Sequence, residues 1–243
     1  MKGAITLFMG LAIVLSTTGF VGAQNSQDVA TESQDIVIEK YVHYAAPPWA
    51  GFPVTSDEND TSYKLHMGGV KWSTLPVIYY VDPDDAPTGA VSEVEAAFET
   101  WDSVVTTDLF NSAIENENVE PSLNIENIDN MNTVTWRPLG TGIIAVTYFV
   151  HTRRTKELIE FDIIFNSNLA WGIDPDGEGT AYTITEFDVR NIATHEAGHT
   201  LVLDDLYRPK TRELTMYGYS ENGETKKISL GLGDTLGIQK LYA

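Results

Sequence analysis

The order of periodic segments predicts an α+β domain, a twisted mixed sheet carrying two main helices. Three observations predict it. A β-branched, aromatic run precedes an amphipathic helix; several strand-like runs follow, two of them joined as a hairpin; and a capped helix opens near residue 185.

Taken in order, Val77-Ile78-Tyr79-Tyr80-Val81 reads as a strand that Asp82-Pro83-Asp84-Asp85 ends with turn chemistry. Val91, Val94, Phe98, Trp101 and Val105 then recur at three- and four-residue steps, with Glu93, Glu95 and Asp102 on other faces. That stripe is the core face of a helix. Ser122 to Ile128 and Thr133 to Arg137 read as short strands. Ile143 to Thr152 and Leu158 to Phe165 are longer, and Arg153 to Glu157 between them makes an antiparallel hairpin the natural reading. The run Asp174-Pro175-Asp176-Gly177-Glu178-Gly179 is a loop. Asp174, Asp176 and Glu178 are hard oxygen donors suited to calcium, although an acidic surface loop is the commoner explanation. Thr185-Glu186-Phe187-Asp188 has the form of a capping box and opens a second helix through Ile192. No internal repeat is visible.

The hydrophobic share of 42% over 243 residues suffices for one substantial domain with a short appendage. A formal net charge of −20 repels phosphate backbones, so nucleic acid is a poor partner. Lys2, the apolar run Ala4 to Leu15 and the small residues Val21-Gly22-Ala23 predict an export signal over residues 1–23. The competing reading is an uncleaved anchor over Ala4 to Ala23, which Ser16-Thr17-Thr18-Gly19 interrupts. Cleavage leaves a secreted, extracellular chain with no membrane association. Residues 24–69 are polar and loop-like and read as a propeptide, a spacer or an arm packed on the main domain, which occupies 70–243. Cysteine is absent, which removes disulfides and every thiol mechanism. Asn59-Asp60-Thr61 is a glycosylation sequon.

The chemistry concentrates in His195-Glu196-Ala197-Gly198-His199. Two histidines four residues apart on a helix share a face, so both imidazoles can reach one ion. Glu196 beside them is free to act as general base toward a zinc-activated water and to pass the proton to a departing amine. A hydrolytic zinc takes three protein ligands and keeps one position open. Asp204 and Asp205 follow the second histidine closely; Glu213 or Glu221 on a later helix would be a different solution. His43, His66 and His151 lack metal spacing and read as ordinary surface or structural histidines.

The run from His195 to Asp205 resembles the extended zinc motif of the metzincin peptidases, whose third ligand lies six residues beyond the second histidine. The resemblance implies His195, His199 and Asp205 as metal ligands; an aspartate there is similar to the snapalysin-like branch. Leu214-Thr215-Met216-Tyr217-Gly218 resembles the methionine turn, with Met216 as an apolar floor beneath the metal. Leu75 to Tyr80, Ala96 to Trp101 and Leu230 to Tyr242 resemble the first strand, first helix and last helix of the matrixins. The similarity runs from about Lys71 to the end. It implies a metzincin-like catalytic domain with a twisted mixed five-stranded sheet, an active-site helix and a C-terminal helix. Tyr219 is a candidate hydroxyl for the reacting carbonyl oxygen, although astacin-like enzymes place theirs two residues after the methionine rather than three.

Two departures stand out. Metzincins carry glycine where this chain has Val202, so either the turn is built differently or the third ligand is displaced. The cysteine that plugs the zinc in matrixin propeptides is missing, so latency would work another way. The sequence therefore predicts a secreted zinc metalloendopeptidase that takes one catalytic zinc, with Glu196 as base. Its polypeptide substrate would lie along the edge strand Ile143 to Val150. The alternative is a non-catalytic exported zinc- or protein-binding domain of the same fold.

Overall fold

A computed structural model describes residues 35–47, 57–174 and 185–243. The expected export signal and the acidic residues Asp176 and Glu178 lie outside the described residues.

The strands are β1 (Ile36–Ala45), β2 (Tyr80–Val81), β3 (Ile114–Glu115), β4 (Thr133–Arg137), β5 (Ile143–Thr152), β6 (Leu158–Asn166), β7 (Trp171–Gly172), β8 (Phe187–Asp188) and β9 (Tyr219–Ser220). The α-helices are α1 (Ala90–Asp102), α2 (Val189–Thr200) and α3 (Leu232–Tyr242). Among the described residues, seven strands form one sheet in the order β3-β2-β4-β6-β5-β1-β9, and β7 pairs with β8 apart from it. The β2–β4 and β4–β6 pairs are parallel, whereas β5 runs antiparallel to β6 and to β1. The expected hairpin is therefore present, and the sheet is mixed.

Five strands were expected, and the additions have identifiable sources. The polar stretch read as a propeptide, a spacer or a packed arm contributes β1, nine of whose ten residues pair with β5. Two-residue strands β3 and β9 extend the edges. Ser122 to Ile128 is not a strand. Ser122 gives its N–H to Asp162 and its hydroxyl to the Asn127 carbonyl, and a 3-10 turn follows over Ile125–Asn127. Side-chain hydrogen bonds of this kind compete with a ladder.

Helix α1 buries Val94, Ala97, Phe98 and Trp101 against the sheet, as its stripe requires. Phe98 stacks on Tyr79 at 4.3 Å and meets Phe110 edge-on at 4.7 Å. Helix α2 is buried on nearly every side, so it is the central helix. It starts one turn later than the capping-box reading placed it. Pairing with β7 holds Phe187 and Asp188 extended, and the Asp188 carboxylate caps the helix by accepting from Asn191 N–H at 2.7 Å. Trp101 Nε1 donates to Thr194 O at 2.9 Å and locks α1 to α2.

Candidate active site

Helix geometry and the turn after it assemble the site. His195 and His199 project from one face of α2, and their Nε2 atoms lie 3.1 Å apart. Each ring is fixed through its other nitrogen: His195 Nδ1 donates to Thr215 O and His199 Nδ1 to Leu203 O, both at 2.7 Å. Spending the Nδ1 proton on a carbonyl leaves Nε2 as the lone-pair atom in each neutral ring.

The chain leaves α2 through Val202, whose φ is +61° and whose side chain is buried. The turn therefore has the sharp left-handed form that metzincins build with glycine, at a steric cost of roughly 1–3 kcal/mol. It delivers Asp205, whose Oδ1 lies 3.2 Å from His195 Nε2 and 3.4 Å from His199 Nε2. That oxygen is buried and accepts no hydrogen bond. Two lone-pair nitrogens and an orphaned carboxylate oxygen converging on one point fit a tetrahedral divalent ion such as zinc.

The neighbouring Asp204 serves another purpose. Its carboxylate takes Lys64 Nζ at 2.7 Å, His66 Nδ1 at 3.2 Å and the Tyr41 hydroxyl. Glu213 and Glu221 belong to none of the metal-competent groups among the described residues.

Glu196 is fully buried, and burial pushes its carboxyl up. Thr147 Oγ1 donates to Oε2 at 2.6 Å, and His43 Nδ1 lies 2.9 Å from Oε1. The second His43 nitrogen is 3.1 Å from Ser220 Oγ, which Lys227 Nζ approaches at 2.9 Å. Lys227 is buried and paired with Glu224. Burial pushes His43 down to about 3, so it stays neutral.

Met216 sits against Gly198 of α2. A Cβ at Gly198 would fall 2.7 Å from Trp101 Cζ2 and closer still to Met216 Sδ, so only glycine lets the turn approach. Asp234 holds this turn in place by accepting from Thr215 N–H at 2.7 Å, Met216 N–H at 3.1 Å and Gly231 N–H at 3.0 Å. Tyr219 is half-buried, its ring 5.2 Å from that of Tyr207. The Tyr207 hydroxyl donates to Asp205 Oδ2 at 2.9 Å, and the ring of Tyr41 stacks on that of His199 at 4.0 Å.

Several of these residues escape a linear reading. Thr147 and Tyr207 carry no motif, His43 was read as an ordinary surface or structural histidine, and Asp234 lay in the stretch resembling the last matrixin helix with no role of its own; the polar position of Thr147 within an apolar strand was a hint. His66 and His151 gather around Glu39, at 3.0 and 3.3 Å, away from the triad. Asp174 N–H donates to Asp188 Oδ2 at 3.0 Å, so Asp174 belongs to the packing around the α2 cap.

Residues 71–243 match the family model for matrixins. A search of curated proteins finds no match.

Proposed function

The chain belongs to the matrixin family of metallopeptidases, and from that premise we propose a secreted zinc-dependent endopeptidase with His195, His199 and Asp205 as metal ligands. The observation that carries the reading is the buried Asp205 Oδ1, unbonded and within 3.4 Å of both imidazole Nε2 atoms. An aspartate in the third position is the snapalysin-like variant of the ligand set. Zinc bound there supplies a Lewis acid that polarises a carbonyl and acidifies water.

The protein's own groups do the rest. Glu196 lies outside the group of His195, His199 and Asp205 and groups instead with His43 and His195; in this reading its carboxylate takes a proton and returns it to the leaving amine. Thr147 donates to Oε2 of that carboxylate, and Oε1, which faces His43, is the atom assigned to carry the proton. Thr215 O and Leu203 O keep both ligand rings in one tautomer. Strand β5, expected as the free edge for an extended polypeptide, is paired with β6 on one side and with β1 on the other, so its main chain would read a substrate backbone only where β1 is absent. Export rests on the apolar run Ala4 to Leu15 and on Val21-Gly22-Ala23. No described helix is long and apolar enough to cross a membrane.

Zinc content and casein hydrolysis of the wild type and Glu196→Gln test the proposal. Both should hold zinc, and the variant should lose about 10²- to 10⁴-fold in rate. Zinc bound by both with no cleavage by either would favour the non-catalytic binding domain instead.

A further inference from the structure

A second group of two imidazoles and a carboxylate stands apart from the triad. Glu39 on β1, His66 at the start of a 3-10 turn (His66–Gly68) and His151 near the end of β5 bring their ligand atoms within 4.8 Å of one another. Glu39 and His66 precede the residues that match the matrixin model, so the group is a feature of this chain rather than of the matched domain. The strand register explains half of the meeting. Glu39 opposes Phe149, two residues before His151, and side chains two apart share a face. The turn supplies the rest: His66 N–H donates to Val202 O at 2.9 Å, and its ring meets Phe149 edge-on at 5.2 Å.

Each ring has one nitrogen already engaged. His66 Nδ1 donates to Asp204 Oδ1 and His151 Nδ1 to Thr152 O, both at 3.2 Å. Both Nε2 atoms of the neutral rings then carry lone pairs. Both face Glu39, His66 at 3.0 Å from Oε2 and His151 at 3.3 Å from Oε1. An ionised carboxylate has no proton to give, so acceptors confront acceptors. His66 Nε2 is buried and makes no hydrogen bond in spite of that approach. A second proton on both rings would remove the repulsion, and so would one divalent cation among the three groups; either adds two positive charges. The separations suit the ion, because a tetrahedron with arms of about 2.1 Å has edges of roughly 3.4 Å. Asp204 behind His66 is the outer carboxylate that metal-bound histidines commonly use.

We propose that Glu39, His66 and His151 form a second site for a divalent cation of the zinc class, the rings binding through Nε2 and Asp204 orienting His66. Two imidazoles discriminate against calcium and magnesium, which favour all-oxygen sets. Three protein ligands leave a fourth position for water, which has access past Glu39, whose side chain is 32% exposed. The role is structural. The ion cross-links three segments far apart in sequence, in a chain that has no cysteine with which to do so. This site is independent of the peptidase reading.

The test strips the full chain of metal, equilibrates it with buffered Zn2+ and measures zinc per chain by mass spectrometry. The wild type should hold two ions. Glu39→Gln and His151→Phe should each hold one; the second keeps a ring against Phe149, on which His151 stacks at 5.9 Å, and deletes both nitrogens. Asp205→Ala alters no residue of this site, so it should keep the second ion whatever becomes of the triad. Anomalous diffraction at the zinc edge should place that ion about 2.0–2.2 Å from both Nε2 atoms. No anomalous peak among Glu39, His66 and His151, in the wild type and in Asp205→Ala, would overturn the proposal and leave two protonated rings in its place. A peak there with none at the triad would sustain it and remove the peptidase reading instead.

Discussion

Val202 offers a sharp test of whether the turn that delivers Asp205 is strained. It is fully buried with φ at +61°, a conformation that costs an L-residue roughly 1–2 kcal/mol and glycine almost nothing. At an ordinary buried position alanine is more stable than glycine for two reasons. Glycine adds about 0.4–1 kcal/mol of unfolded-chain entropy, and it forgoes a buried methyl worth about 0.8 kcal/mol. Ala97, fully buried within α1, should behave this way, so Ala97→Gly should cost about 1.5 kcal/mol. At position 202 the relief of strain offsets that deficit. Val202→Ala loses methyl contacts and keeps the strain; Val202→Gly loses slightly more contact and sheds the strain. The two variants should therefore agree within about 0.5 kcal/mol. Urea unfolding of the metal-free chains, with matched slopes, gives the comparison without the linkage that a bound ion adds. If Val202→Gly falls below Val202→Ala by the same margin as Ala97→Gly falls below wild type, the strain assigned to this turn does not exist.

Two further outcomes follow from buried carboxyl groups. Asp234→Ala strands three backbone N–H groups beneath the methionine turn, so unfolding free energy should fall by about 2–4 kcal/mol, read by urea denaturation. Asp162 is buried and pushed up to about 7, chiefly by burial. Its folded-state value lies above the unfolded one, so the protonated form favours the fold. That stability is fully present below about pH 4 and is lost as pH rises through 7. Asp162→Asn should remove this slope, which is at most about 1.4 kcal/mol per pH unit, as seen in urea midpoints of both proteins from pH 5 to pH 8. A wild type and variant with parallel pH profiles would contradict the burial argument.

The legible parts of this fold are those set by local pattern. The α1 stripe and the hairpin of β5 and β6 need only neighbours in sequence to declare themselves. In the site, His195, Glu196 and His199 are legible because helical periodicity alone places them together. What sequence pattern does not carry is assembled by pairing between distant segments. Ile36–Ala45 finds its partner in β5, and only that register brings His43 and Thr147 to the two oxygens of Glu196. Residue chemistry alone leaves Asp204 a rival to Asp205, and only the resemblance favours the second. The turn at Val202 separates them, sending one to Lys64, His66 and Tyr41 and the other to the imidazoles. Ser122 shows the opposite failure, where strand propensity yields to side-chain hydrogen bonds with Asp162 and Asn127.

The metal triad is tested most directly by anomalous diffraction at the zinc edge from crystals of the zinc-loaded chain, wild type beside Asp205→Ala and Asp204→Ala. The account expects an ion about 2.0–2.2 Å from His195 Nε2, His199 Nε2 and an Asp205 oxygen in the wild type. It expects the same ion in Asp204→Ala and a lost or severely depleted ion in Asp205→Ala. Full zinc occupancy between the two imidazoles in Asp205→Ala, or an ion held by Asp204 in the wild type, would contradict it.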